Sequence, residues 1–283
     1  MAHLNRRVGV ASVLLTLALV TACSTSPSQT KGAPFDYGTC PSDPSAVLRP
    51  RFQSGLLVAY TGQPVVWRGD KYWWQDAPQA GGRFYAGHLV IALAEQTFGR
   101  PDFQGRRLYA FIVNNNRIVK EFGPNLMNRV RIQESVGPLP FDERKWELGK
   151  KNEEETRSIA EHVLPGETVE NWTELVTLQT VSRVAENLTV ETMLEQAEAA
   201  ARCEVIERKV LASTPSELLV EQTLAKCAPT RDRYAIRKLI RGPRSASDVS
   251  YSRTAPFSDA DRKKWTDLVN RTVWGRPCGD SAS

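Results

Sequence analysis

Of three histidines, His3 falls in the opening segment, which leaves His88 and His162 for imidazole chemistry in the body of the chain. His162 stands beside Glu161 and shortly before Glu167 and Glu170. A histidine oriented by a carboxylate is the arrangement of a general base, and on that reading the chain is a hydrolase. The plainer reading, which we adopt, is an exposed strand-end histidine in an acidic stretch. His88, followed by apolar Leu89 to Leu93, reads as a core or edge histidine. Trp172, between Asn171 and Thr173 where a turn enters a strand, offers an indole N–H as a binding platform, although a Trp there more often plugs the end of a sheet. Tyr72-Trp73-Trp74 with Trp67 is the densest aromatic group and suits a partner patch or core packing equally. The sequence has no G-x-S-x-G elbow, H-E-x-x-H pair, phosphate-binding glycine loop or cysteine metal cluster. No catalytic residue, metal site or cofactor is expected.

Cys23 carries chemistry of another kind. Arg6-Arg7 precedes an apolar run from Val8 to Ala22, which Val20-Thr21-Ala22-Cys23 closes with small residues before the cysteine. Those 15 residues, diluted by Gly9, Ser12, Thr16 and Thr21, fall short of the ~20 that a membrane-crossing helix needs. The run resembles the signal of bacterial lipoproteins, and its last four residues resemble their lipobox. That resemblance implies removal of residues 1–22, acylation of Cys23, and a body held outside the cytoplasm. Ser24, where an inner-membrane retention signal would place aspartate, implies an outer-membrane lipoprotein facing the periplasm. Several acyl chains anchor firmly, because each buried methylene contributes about 0.8 kcal/mol.

The 261 residues from Cys23 onward exceed the ~150 of a typical single domain, so one large or two modest domains are allowed. A hydrophobic fraction of 41% is ordinary for a globular protein. The net charge of +5 is modest, and it drops once Arg6 and Arg7 leave, which argues against a nucleic-acid partner. Distribution says more. Residues 231–276 hold twelve Lys or Arg against five Asp or Glu, whereas residues 141–174 hold five against ten. Two faces that partly neutralise each other account for this, and the alternative is a patch for an anionic partner such as lipid, lipopolysaccharide or an acidic envelope protein.

With Cys23 given to lipid, four cysteines remain in an oxidising compartment, which suggests two bridges. Cys203 and Cys227 flank strand-like runs from Glu204 to Leu211 and from Glu217 to Lys226, and each lies twelve residues from Pro215. A hairpin centred there sets the two cysteines opposite each other. Cys40 and Cys278 are left to tie the start of the body to its tail.

The elements that must position these groups follow in order. Residues 23–50, rich in Ser, Thr, Pro and Gly at their start, read as a flexible tether. Residues 51–136 read as a β-rich unit, with a hairpin turning at Asn114-Asn115-Asn116. Only His88 to Glu95 is ambiguous between strand and helix. Residues 137–155, with two prolines and dense charge, read as a linker or surface helix. From 156 to 273 the order is strand, strand, helix, four strands, helix. The first helix is capped by Thr189, with Val190, Met193, Leu194 and Ala197 on one stripe; the second is capped by Ser258, with Trp265, Leu268 and Val269. Residues 274–283 form a tail. The fold class is α+β: a β-rich N-terminal unit, then a mostly antiparallel sheet packed against two helices.

Pro165-Gly166-Glu167-Thr168-Val169-Glu170-Asn171-Trp172-Thr173-Glu174 resembles a G-E-x-x-x-N-W-T-E signature of uncharacterised exported Gram-negative proteins, and Tyr234 to Gly242 and the Lys264-Trp265 helix fit the same family. In topology, residues 156–273 are also similar to the PsbP-like fold of photosystem accessory proteins and DcrB-type lipoproteins. These resemblances imply a non-enzymatic binding or assembly role and supply no catalytic residues. An immunity or exclusion lipoprotein is a further reading. Trp172, Arg237, Lys238 and Arg241 are the residues expected to meet a partner.

Overall fold

A computed structural model describes residues 35–59, 65–95, 106–130, 132, 134, 136–185, 187–201, 203–227 and 231–275. Cys23, its lipobox and Cys278 lie outside them. The chain divides into two units, Met1–Phe35 and Asp36–Ser283, and every element below belongs to the second.

The apolar run that left His88 to Glu95 ambiguous is part of a strand covered on both sides, where periodicity disappears. This strand, β3 (Phe84–Glu95), is the middle of an antiparallel sheet with β1 (Val58–Ala59) and β2 (Val65–Gln75) on one edge and β4 (Arg106–Asn114) and β5 (Arg117–Phe122) on the other. Val90, Ala92 and Ala94 pack with Phe111 and with Leu48 of helix α1 (Pro44–Gln53). Leu89, Ile91 and Leu93 face the opposite way, toward Trp67, Phe122 and residues of the second sheet. Asn115 and Asn116 take φ of 48° and 58°, the left-handed conformation that the expected hairpin turn demands.

The second sheet has seven antiparallel strands: β7 (Glu147–Glu153), β8 (Arg157–Val163), β9 (Glu174–Ser182), β10 (Glu204–Ser213), β11 (Glu217–Cys227), β12 (Arg231–Arg241) and β13 (Ser245–Arg253). Their spatial order is β10-β11-β12-β13-β9-β8-β7. Between Arg157 and Asn270 the elements follow the expected order of two strands, helix, four strands and helix. Helix α2 (Val190–Ala201) sets Val190, Met193 and Leu194 on Leu218, Val220 and Leu239, while helix α3 (Asp259–Asn270) sets Trp265 and Val269 on Leu219, Ile236 and Tyr251. Because successive strand residues point to opposite faces, the two helices lie on opposite faces of the sheet. Thr189 and Ser258 cap them, through the backbone N–H groups of Thr192 and Asp261.

The two sheets share a core. Ile240 of β12 packs among Trp67, Leu89 and Ile91 of the first sheet. Trp67 Nε1 donates to Arg241 O at 2.7 Å. A two-stranded ribbon of β6 (Val136–Gly137) and β14 (Val273–Trp274) lies beside this junction. There Glu134 accepts from Trp274 Nε1, Ser245 Oγ and the backbone N–H of Arg244.

Two segments differ from expectation. Within the stretch taken as tether, Asp36 onward is folded: Asn114 Nδ2 donates to Asp36 O at 2.8 Å, and Leu48 is fully buried. Helix α1 has one buried residue, too weak a stripe to be seen in sequence. Within the stretch taken as a linker, Glu147 to Glu153 forms edge strand β7, paired to β8 along its length. An edge strand is held by backbone hydrogen bonds and, exposed on both faces, needs no apolar alternation.

The Cys203–Cys227 disulfide is present at the open end of the β10–β11 hairpin, with Cα atoms 4.4 Å apart. Cys40 is also disulfide-bonded.

Candidate functional site

Register across the second sheet determines which side chains can act together. On the face that carries α2, Arg237, Ser250, Thr177 and Glu161 stand side by side across β12, β13, β9 and β8. The next row holds Leu239, Asp248, Gln179 and Ile159. Helix α2 packs over β11 and β12, whereas on β8 and β9 this face leaves Ile159, Glu161, Thr177 and Gln179 half-buried. The result is a polar sheet face bounded on one side by a helix.

Its charges are paired in depth. Arg237 Nε lies 3.2 Å from Asp248 Oδ1, and its Nη1 donates to Gln222 Oε1 at 3.2 Å. Gln222 in turn donates to Glu198 of α2 at 2.6 Å. Burial pushes the Asp248 carboxyl up against the pull of Arg237. Arg233, four residues before Arg237 and on the same face, lays its guanidinium over Trp172, 5.1 Å from the ring centroid. Burial, and then repulsion from Arg237, lower the pKa of Arg233, with Glu161 acting the other way. Near the other end of this face, exposed Arg157 donates to Gln179 Oε1 at 3.1 Å. The arrangement presents guanidinium, hydroxyl, amide and carboxylate groups on one rigid surface, a set suited to hydrogen-bonded recognition of a polar or anionic surface.

The structure separates the four residues expected to meet a partner. Arg237 and Trp172 belong to this face, joined through Arg233. Trp172 is buried with Val163 and Leu175, as a plug at the sheet end. Lys238 is on the other face, 2% exposed, donating to Asn270 O and pairing with Glu217 at 2.9 Å. Arg241 is also 2% exposed, against the ring of Trp67. Neither Lys238 nor Arg241 can reach a partner in the folded protein, which corrects the expectation of one basic patch. Adjacent strand residues cannot share a face, so Arg237 and Lys238 were separable from sequence alone, and Arg233 was recoverable by the same alternation. Asp248 carried no such signal.

His162 points away from Glu161. Its ring meets Phe141 edge-on at 5.0 Å, and burial, partly offset by a backbone hydrogen bond with Val176, lowers its pKa. Glu167 spends its carboxylate on Thr173. Neither Glu161, on the opposite face of β8, nor Glu167, held by Thr173, is arranged to orient His162.

The acidic and basic stretches meet on the α3 side. Asp142 accepts from Lys264 Nζ at 2.8 Å, and Arg144 forks onto Glu174 at 2.8 and 2.7 Å. Tyr251 OH also donates to Glu174. Burial raises the Asp142 carboxyl, but hydrogen bonds from Lys264, Trp146 and Arg144 outweigh it and bring it down to about 2. Lys264 thus joins the basic stretch directly to the acidic one, while Arg144 neutralises Glu174 within the acidic stretch itself.

A separate groove of about 320 Å³ lies between the β10–β11 hairpin and the start of α3, with Tyr234 and Phe257 among charged Lys209, Glu221 and Arg262. Arg262 is already committed to Glu221 and Asp259. Among the described residues no three of His, Cys, Asp and Glu gather as a metal-ligand set, and no helix is long and apolar enough to cross a membrane. No protein-family model matches the chain, and no curated protein matches it.

Proposed function

We propose that this chain is an exported lipoprotein, acylated at Cys23, whose role is to bind another component of the bacterial envelope through the polar face of its second sheet. The observation that carries the reading is the polar group of half-buried Glu161, Thr177 and Gln179 with exposed Arg157, set beside buried Ser250 and the Arg237–Asp248 pair on a sheet face that α2 covers only in part. Buried pairs such as Arg237–Asp248 fix the side chains, so a partner meets a preformed surface and little ordering entropy opposes binding. The setting is the oxidising side of an outer membrane. Support comes from the lipobox resemblance of Val20–Cys23 and from the disulfide between Cys203 and Cys227. The PsbP-like reading of residues 156–273 is supported by an antiparallel sheet with helices on both faces, and it fits a binding or assembly role better than a reaction.

The test is crosslinked capture from intact envelopes with Arg157→Glu and Thr177→Glu, which alter the face while leaving its buried pairs in place. Capture that falls with each variant, and falls further with salt, supports the face as the interface. Capture indifferent to both variants removes it. A lack of acyl mass on the mature protein removes the lipoprotein reading.

A further inference from the structure

The hairpin joining β2 to β3 ends in a loop, Ala77 to Gly82, that contains no charged residue. The loop is closed on itself: Asp76 N–H donates to Arg83 O, Ala80 N–H to Ala77 O, and Gln75 Nε2 to Gly82 O. Asp76 is neutralised by Lys120 at 2.7 Å. At the base of the loop Phe84 is 51% exposed, with the Trp73 ring 6.2 Å away and exposed Arg83 adjacent in the chain. An uncharged loop flanked by two neighbouring aromatic rings on β2 and β3, one of them half in solvent, is an apolar feature exposed at this end of the sheet.

The incoming chain reaches the fold at this same end. Asn114 Nδ2 donates both to Asp36 O at 2.8 Å and to Ala86 O at 3.0 Å, and Ala86 is the register partner of Trp73. Thr39 N–H donates to Asn115 Oδ1, in the turn between β4 and β5. Exposed Arg117 ends that turn, and exposed Lys71 lies over Tyr37. Thirteen residue steps separate Cys23 from Asp36, a reach of at most about 45 Å. That length lets the loop, the aromatic pair and three basic side chains reach a bilayer in which an acylated Cys23 is anchored.

We propose that this end of the first sheet rests on the membrane surface, with Phe84 and Trp73 at the boundary between headgroups and acyl chains and with Arg83, Lys71 and Arg117 on anionic headgroups. Aromatic rings favour that boundary, and basic side chains beside it are drawn to the phosphates. The short tether supplies a high local concentration, so a contact too weak to recruit a free protein is occupied once Cys23 is anchored. The contact rests on the lipoprotein reading and adds an orientation: the second sheet joins the first at Trp67, Leu89 and Ile91, on the face of β3 opposite to that of Phe84.

The test uses the full-length, processed protein in vesicles of phosphatidylethanolamine with phosphatidylglycerol. A nitroxide is placed at Phe84→Cys or, as the reference, at Ile206→Cys on β10, which is 58% exposed. Both sites are solvent-facing, so the fold tolerates them, and mass spectrometry confirms one label per chain. The expected result is a several-fold higher ratio of oxygen to nickel-chelate accessibility at position 84 than at 206, lost in the Arg83→Glu, Arg117→Glu double variant. Equal chelate accessibility at both positions, in protein that still floats with the vesicles, overturns the contact and leaves the anchor standing. Protein that neither floats nor carries acyl mass overturns the anchor, and the contact with it. Protection of position 84 without vesicles, growing with protein concentration, assigns the patch to a second copy and overturns the membrane contact.

Discussion

The Tyr251 ring lies flat on Trp265, with centroids 3.5 Å apart and planes 6° from parallel. The pair joins β13 to α3, and Trp146 meets both rings edge-on. Trp265 is 2% exposed, so truncation leaves a void that its neighbours cannot fill. Trp265→Ala should cost about 3–5 kcal/mol in chemical denaturation, while Trp265→Phe, which keeps a ring on Tyr251, should cost less than half of that.

Asp142 gives the protein an acid-sensitive contribution. Its side chain is 1% exposed, and its carboxyl is held at about 2, below the ordinary 3.8. A depressed folded-state value contributes stability that is fully present above about pH 4 and is lost as pH falls through about 2. Asp142→Asn should therefore destabilise by about 2 kcal/mol at neutral pH. The difference between the two proteins should shrink toward zero over that acid window when unfolding is measured at successive pH values.

The Cys203–Cys227 bridge closes a loop of 24 residues in sequence. By loop entropy, removing it should cost about 2–4 kcal/mol, measured as the difference between the protein and its Cys203→Ser, Cys227→Ser variant under non-reducing conditions. The loss should fall on the hairpin first. Hydrogen exchange of β10 should rise more than that of β12 or β13, which have neighbours on both sides.

Two basic residues of one sheet should behave in opposite ways. Lys238→Ala removes a buried ammonium from half-exposed Glu217 and from Asn270 O and should cost about 1–3 kcal/mol. Arg157→Glu, on an exposed side chain, should change stability by no more than about 0.5 kcal/mol. Thermal melts of the two variants separate a structural cation from one free to serve binding.

Local rules in the sequence determined much of the second sheet and one hairpin of the first. Cap residues Thr189 and Ser258, helical stripes ending on Leu194 and Val269, the asparagine turn at 114–116 and the symmetry of Cys203 and Cys227 about Pro215 all rest on contacts or periods within a few residues, and the elements form where these placed them. Alternation along β12 also separated Arg237 from Lys238, although composition alone made them one patch. What lay beyond the sequence depended on partners far along the chain. Arg241 is buried because Trp67, 174 residues away, lies over it and donates to its carbonyl. Glu147 to Glu153 is a strand because β8 offers it an edge, and Asp36 to Gln53 is folded because Asn114 and the core around Leu48 receive it. A polar edge strand and a weakly amphipathic helix take their structure from what they meet, and only the assembled chain brings those surfaces together.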